Sequence, residues 1–257
     1  MSSVLDSIVA GVLEDVKARE ISLSELREQV ALAPKICDGF AALAAPGMQI
    51  IAEVKRSSPS KGALATITDP ADLAQRYEAA GAAVISVLTE GRRFGGSAAD
   101  LTLVRGAVNI PILRKDFTVT EYQVYETRAL GADLILLIVA ALSDSQLRDF
   151  QALSQELGMS VLVEVHNEAE LERAMNMDAS IIGINARNLK TLDIQEDAFE
   201  RLLPLITGDR IRVAESGIST RAQVRSAESA GAKAILVGET LVRAGDPKEA
   251  IHALLGR

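Results

Sequence analysis

Eight short, β-rich apolar runs recur along the chain, each separated from the next by a helical pattern. They read IIAEVK from Ile50, AVISVLTE from Ala83, IPILRKDF from Ile110, ADLILLIVA from Ala132, SVLVEVH from Ser160, SIIGINAR from Ser180, IRVAESG from Ile211 and AILVGE from Ala234. Their starts are spaced by roughly 20 to 35 residues, room for one helix and two loops each time. The intervening segments carry helix punctuation. DPADLAQRYEAAGA offers Asp69 as N-cap, Pro70 at the first helical position and Gly81 as the stop. SDSQLRDFQALSQELG runs from a cap at Ser143 to a stop at Gly158, and NEAELERAMNM and STRAQVRSAESAGA repeat the scheme. Gly81, Gly131 and Gly231 each stand just before a strand-like run.

Strand and helix alternating eight times means parallel strands joined by crossovers. Eight such units predict a single α/β domain over residues 1–257, a closed (β/α)8 TIM barrel, a fold of typically ~250 residues. The competitor is a doubly wound open sheet. Its first strand would normally feed a glycine-rich phosphate turn, but the turn here reads RSSPSKG, with no G-x-G-x-x-G. No linker or low-complexity segment interrupts the pattern. The first 48 or so residues hold two helical stretches and form an N-terminal helical extension.

Composition narrows the function. A formal net charge of −8, no Trp and 3 % aromatic residues leave neither a basic footprint nor stacking surfaces, so no nucleic-acid partner is expected. A small anionic ligand remains compatible, because local charge can oppose net charge. The longest fully apolar run, Leu134 to Leu142, is too short to cross a bilayer, and no membrane association is expected. The N-terminal stretch lacks the basic region and cleavage site of a signal peptide. The single cysteine, Cys37, cannot form an internal disulfide, which fits a reducing compartment and hence the cytoplasm. With two His and one Cys, no zinc-type cluster can be assembled, and neither metal nor other cofactor is expected. A monomer is expected.

Active sites of such barrels form at the C-terminal ends of the strands, so polar residues there on one face deserve the closest reading. Side chains alternate with period two. The first strand supplies Glu53 and Lys55, the third Lys115, the fifth Glu164 with His166 beyond it, the sixth Asn185 and Arg187, and the seventh Glu215. Strands two and four supply mostly apolar residues, among them Leu88, Leu136 and Ile138. A lone charge at a strand end is ordinarily a solvated rim residue. Independent rim charges, however, should not choose one face on four or more strands. Arg114 and Asp116, of opposite parity to Lys115, should lie on the rim or face the helices, and His166 should serve Glu164 as a partner and not as a base.

A second constellation lies beside the first. AESGI after strand seven and LVGETL after strand eight place Ser216, Gly217, Gly238 and Glu239 where backbone amides can approach a ligand. Barrels frequently bind phosphate there. Glu239 would repel a phosphate if its carboxylate pointed inward, so only its amide should serve.

Taken together, AEVKRSSPSKG, TEGRRFGGS, LRKDF, LVEVHNEAEL, GINARNLKTL, AESGI and LVGETLV resemble, in order and spacing, the indole-3-glycerol-phosphate synthase family. The resemblance spans nearly the whole chain and shows no departure at a catalytic position. It implies a carbon–carbon lyase of tryptophan biosynthesis. This enzyme closes the ring of 1-(2-carboxyphenylamino)-1-deoxyribulose 5-phosphate and releases carbon dioxide and water to give indole-3-glycerol phosphate. It also implies a stand-alone enzyme without a fused isomerase domain. In those terms Lys115 fits as general acid at the ketone oxygen. Glu164 and Lys55 are both candidates for the remaining proton transfers. Glu53 steadies Lys55, and Asn185 orients the substrate. Arg187 and Lys55 meet the anthranilate carboxylate, with Ser58 assisting and Glu215 also contacting substrate. Phe94, Leu136 and Leu189 form walls for the aromatic ring, and Ser216, Gly217, Gly238 and Glu239 bind the phosphate. The alternatives are a phosphoribosylanthranilate isomerase-like barrel, which should not need EVKRSSPSKG, or a silent barrel that only binds a phosphorylated ligand.

Overall fold

A computed structural model describes residues 3–189 and 191–257. All eight apolar runs are strands: Gln49–Val54, Val84–Leu88, Ile112–Lys115, Leu134–Ile138, Ser160–Val165, Ile181–Asn185, Ile211–Glu215 and Ala234–Val237. They pair in parallel in chain order, and the eighth closes onto the first through Ile50↔Ile235 and Ala52↔Val237. The open sheet is thereby excluded. Nearly every strand residue is buried, because helices cover the outside while the barrel lumen is filled by inward side chains such as Leu113, Leu136 and Leu162.

The punctuation read from the sequence is present. Asp69 accepts hydrogen bonds from the amides of Ala71 and Asp72 and starts the helix Pro70–Ala79. Ser143 caps Asp144–Glu156, Asn167 caps Glu168–Asn176 and Thr220 caps Arg221–Ser229. Gly81 and Gly131 turn the chain at φ +88° and +89°, where an L side chain would be strained.

Two local expectations need correction. Among the described residues the N-terminal extension contains three helices, not two: Val4–Arg19, Leu23–Leu32 and the six-residue Gly39–Ala44. The third is too short to display a 3.6-residue period. It lies under the barrel floor, where Gly39 approaches the side chain of Leu134 so closely that a Cβ would collide with it. The segment after the first strand is a small hairpin: Ser57–Ser58 pairs antiparallel with Gly62–Ala63. Its base is held by Arg56, whose guanidinium forks onto Asp100 at 2.5 and 3.0 Å.

Candidate active site

The strand ends converge at one mouth, with Lys115 at its centre. Lys115 Nζ lies 2.8 Å from Glu164 Oε2 and 3.8 Å from Glu215 Oε2. Burial alone would push the ammonium's pKa down. The charges of Glu164, Glu215 and Glu53 outweigh that and hold it above the usual lysine range, so the proton stays on Lys115 at neutral pH. The two glutamates share one small space and are driven apart. Burial would raise Glu164, but Lys115 and His166 overcome it and keep the carboxyl far below its ordinary value. Glu215 is raised by burial and by the negative charge of Glu164, which Lys115 only partly offsets. Neighbouring carboxyls pushed in opposite directions are a usual mark of acid–base sites.

His166 stands behind Glu164. Its Nε2 lies 3.3 Å from Glu164 Oε1, without hydrogen-bond alignment, and its Nδ1 lies 2.9 Å from Glu170 Oε2. Burial would lower the imidazolium, but the two carboxylates push it up to about 9. It sits beside Glu164, as its position two residues beyond suggested, and the carboxylates favour its charged form.

Lys55, one residue past the first strand, reaches back to Glu53 Oε2 at 3.5 Å and lies 5.5 Å from the centre of the Phe94 ring. Phe94 also packs on Phe117, ring centres 6.0 Å apart. Glu53 accepts a 3.4 Å hydrogen bond from Ser86. A cavity of about 70 Å³ is lined by Glu53, Lys55, Phe94, Lys115, Glu164, Asn185, Arg187 and Glu215, with Leu136 and Leu189 among its apolar walls. Asn185 Oδ1 accepts from the Arg187 amide at 3.0 Å, and Arg187 donates to the Leu192 carbonyl, so these two side chains are fixed by their own loop.

Next to it opens a second cavity of about 520 Å³. Glu53, Lys55, Arg187 and Ser216 line both. Its far wall is Gly217, Gly238 and Glu239, the last opening the short helix Glu239–Val242. Ser216 and Gly217 are consecutive left-handed residues at φ +69° and +75°. For serine this is a costly conformation of the kind held at ligand sites. The Glu239 carboxylate is engaged by Arg243 at 3.3 Å.

Fourteen of the fifteen site residues singled out from the sequence line one or both cavities. Ser58 does not: it is buried in the hairpin, its Oγ 3.5 Å from that of Ser60. Sequence reasoning passed over Phe117, Lys61, Arg243 and Gly183. Phe117 follows KD in LRKDF and Lys61 sits in SPSKG, both inside segments already under scrutiny. Gly183 shares the parity of Asn185, which was the available signal. Arg114 faces the helices, as its parity predicted, and is fully buried. It bonds Glu126 at 2.8 Å, Asp116 at 3.1 Å and Thr89 at 3.0 Å, and Glu126 in turn holds Arg19 of the first helix at 2.6 Å. Asp116 belongs to this network and also touches the smaller cavity.

A sequence profile described as indole-3-glycerol phosphate synthase matches residues 5–254. Curated relatives bearing that name include one from Paenarthrobacter aurescens, 57 % identical over 97 % of this chain and 94 % of its own length. Another, from Nocardioides, is 57 % identical over 99 % and 98 %. Among solved structures, a 3-hexulose-6-phosphate synthase superposes with a TM-score of 0.62 at 17 % identity, covering 81 % of this chain and 99 % of that one. At that identity it speaks for the fold alone.

Proposed function

We propose a mechanism from the premise that the chain belongs to the indole-3-glycerol phosphate synthase family and converts 1-(2-carboxyphenylamino)-1-deoxyribulose 5-phosphate to indole-3-glycerol phosphate, carbon dioxide and water. The phosphate sits in the larger cavity, on the amides of Ser216, Gly217, Gly238 and Glu239. Amides at a left-handed turn and a helix start favour an anion. The engagement of Glu239 by Arg243 supports the amide-only role. The anthranilate ring enters the smaller space, against Phe94, Leu136 and Leu189. Lys55 and Arg187, which line both cavities, meet its carboxylate, while Ser58, buried in the hairpin, takes no part in it.

In ring closure the aromatic carbon bearing the carboxylate attacks the ketone, and Lys115 delivers a proton to the forming alkoxide. Carbon dioxide then leaves with the bonding pair returning to the ring. Next the hydroxyl departs as water, and loss of a ring proton completes the indole. Glu164 and Lys55 are the acid–base groups for these last transfers. Glu53 steadies Lys55, Asn185 orients the substrate and Glu215 contacts it beside Lys115. The observation that carries this reading is the pair Lys115 Nζ to Glu164 Oε2 at 2.8 Å, a loaded acid joined to an anionic partner at the floor of an apolar-walled cavity. The lone cysteine supports a cytoplasmic location.

Mixing the protein with this substrate should produce the absorbance and fluorescence of an indole together with one equivalent of carbon dioxide. Isomerisation without carbon dioxide release, or binding without turnover, would sink the assignment.

A further inference from the structure

Two carboxylates of the mouth occupy space that any side chain on the neighbouring strand would fill. Glu215 Oε1 stands where a Cβ on Gly183 would be, deep inside van der Waals contact, and Leu162 Cδ1 lies 3.2 Å from the same point. Glu53 Oε2 stands likewise in the Cβ space of Gly238. Gly183 pairs with Glu164 on one side of its strand and with Val213, two residues before Glu215, on the other. Glu215 is about 1 % exposed. Its Oε1, the oxygen lodged against the glycine, has no hydrogen-bond partner, while Oε2 points to Lys115 at 3.8 Å. Glu164 and Lys115 act on this carboxyl from the side of the mouth, and the notch supplies the room in which Oε1 sits.

Glycine inside a strand is expensive: it gives up a side chain to pack and loses more backbone entropy than alanine. At position 183 the φ is not in the left-handed region, so backbone shape does not require glycine. What requires it is the room taken by the glutamate.

We propose that Gly183 is a positioning residue for the reaction, a notch in the sixth strand that seats the Glu215 carboxyl beside the Lys115–Glu164 pair. A methyl there can be relieved most cheaply by swinging Glu215, because the colliding atom is the end of a flexible side chain. That motion is the one that moves the carboxyl off Lys115. The proposal rests on the role given to Glu215 above.

The test is a double-mutant cycle of Gly183→Ala and Glu215→Ala, read by steady-state kinetics and by thermal midpoint. With Glu215 present, Gly183→Ala should lower turnover roughly 10²-fold, the scale for an ångström of misplacement, and lower the midpoint. With alanine at 215, the same change should leave residual turnover within about threefold, since misplacement no longer has anything to act on. It should also raise the midpoint, because the methyl fills vacated space. Gly183→Ala/Glu215→Asp should recover part of the turnover lost in Gly183→Ala, because the shorter acid clears the methyl. Equal losses in both backgrounds, or a midpoint that falls equally in both, would overturn the proposal. If Glu215→Ala alone kept full turnover, the substrate-contact role of Glu215 would fail. The two midpoint shifts would still decide whether the notch seats its carboxyl.

Discussion

Lys115 Nζ and Glu164 Oε2 stand 2.8 Å apart, one at the end of the third strand and one near the end of the fifth, with the fourth strand between them. The bond therefore spans the lumen and does not follow a ladder. Lys115 holds its head against two neighbouring acids, Glu164 and Glu215, which keeps it charged.

Removing that head should abolish chemistry and spare binding. Lys115→Ala should lose ~10²–10⁴-fold in turnover, the range for a positioned acid, with little change in the affinity of phosphate-bearing ligands. Lys115→Arg should fail nearly as badly, because a guanidinium barely releases its proton. Lys55→Ala should instead damage KM as well as kcat, since Lys55 opens into both cavities. Steady-state kinetics with circular dichroism as a fold control decides this; Lys115→Ala retaining more than about a tenth of turnover is incompatible with a general acid.

The two glycines of the phosphate cavity should fail differently. Gly217 turns at φ +75°, and an added Cβ would sit 3.1 Å from Ile194 Cγ2. Gly217→Ala should cost about 1 kcal/mol of stability from the left-handed backbone, and its bulkier relative Gly217→Val should raise KM strongly with a smaller effect on kcat. Gly238→Val meets Glu53 before it meets any ligand, so it should depress kcat along with binding. Matching kcat/KM splits for the two valine variants would contradict the distinction.

The contrast between these glycines also marks what the sequence could reveal. Period-two alternation places Glu53, Lys115, Glu164, Asn185 and Glu215 on one face because a closed barrel leaves inward side chains nowhere else to go. The eight strands and their caps were legible for the same local reasons. The fit of Gly238 to Glu53, or of Gly183 to Glu215, depends on register between strands far apart in the chain, and a single sequence carries no register. The short helix Gly39–Ala44 and the Ser57–Ala63 hairpin escaped because neither repeats a period. The hiding of Ser58 inside that hairpin follows from the pairing Ser58↔Gly62, another relationship without local signal.

The hairpin should order on ligand binding at its tip and not at its base. Ser57 N donates to the Phe94 carbonyl at 3.2 Å and Leu64 N to that of Arg56 at 2.8 Å, so the base is already tied down. The tip, Pro59 to Lys61, has few bonds of its own, and Lys61 faces the phosphate cavity. Hydrogen exchange at residues 58–62 should slow on adding indole-3-glycerol phosphate, while residues 63–65 change little. Uniform slowing, or none at the tip, contradicts this.

His166 should make part of the protein's stability pH-dependent. Its imidazolium stands between Glu164, two residues back on the same strand end, and Glu170 on the following helix, with Lys115 on the far side of Glu164. Burial opposes the charge, yet the two carboxylates raise it to about 9 from the ordinary 6.5. A group whose folded value is raised contributes stability that is fully present below the unfolded value and disappears as pH climbs through the folded one. The contribution should thus be complete below about pH 6.5 and gone a little above pH 9, with an upper limit of about 3 kcal/mol. Other groups titrate in the same window, so the quantity to measure is the difference in unfolding free energy between the wild type and His166→Asn, taken by denaturant titration from pH 6 to pH 10. That difference should be largest at pH 6 and shrink steadily through pH 9. The same loss should free Glu164 from one of its two cations and leave Lys115 as its remaining counter-charge, so turnover of the wild type should bend near the same pH, and His166→Asn should keep only the bend that Glu215, itself raised to about 8, imposes on both proteins. A stability difference that stays flat from pH 6 to pH 10 would mean that His166 holds no charge between these carboxylates.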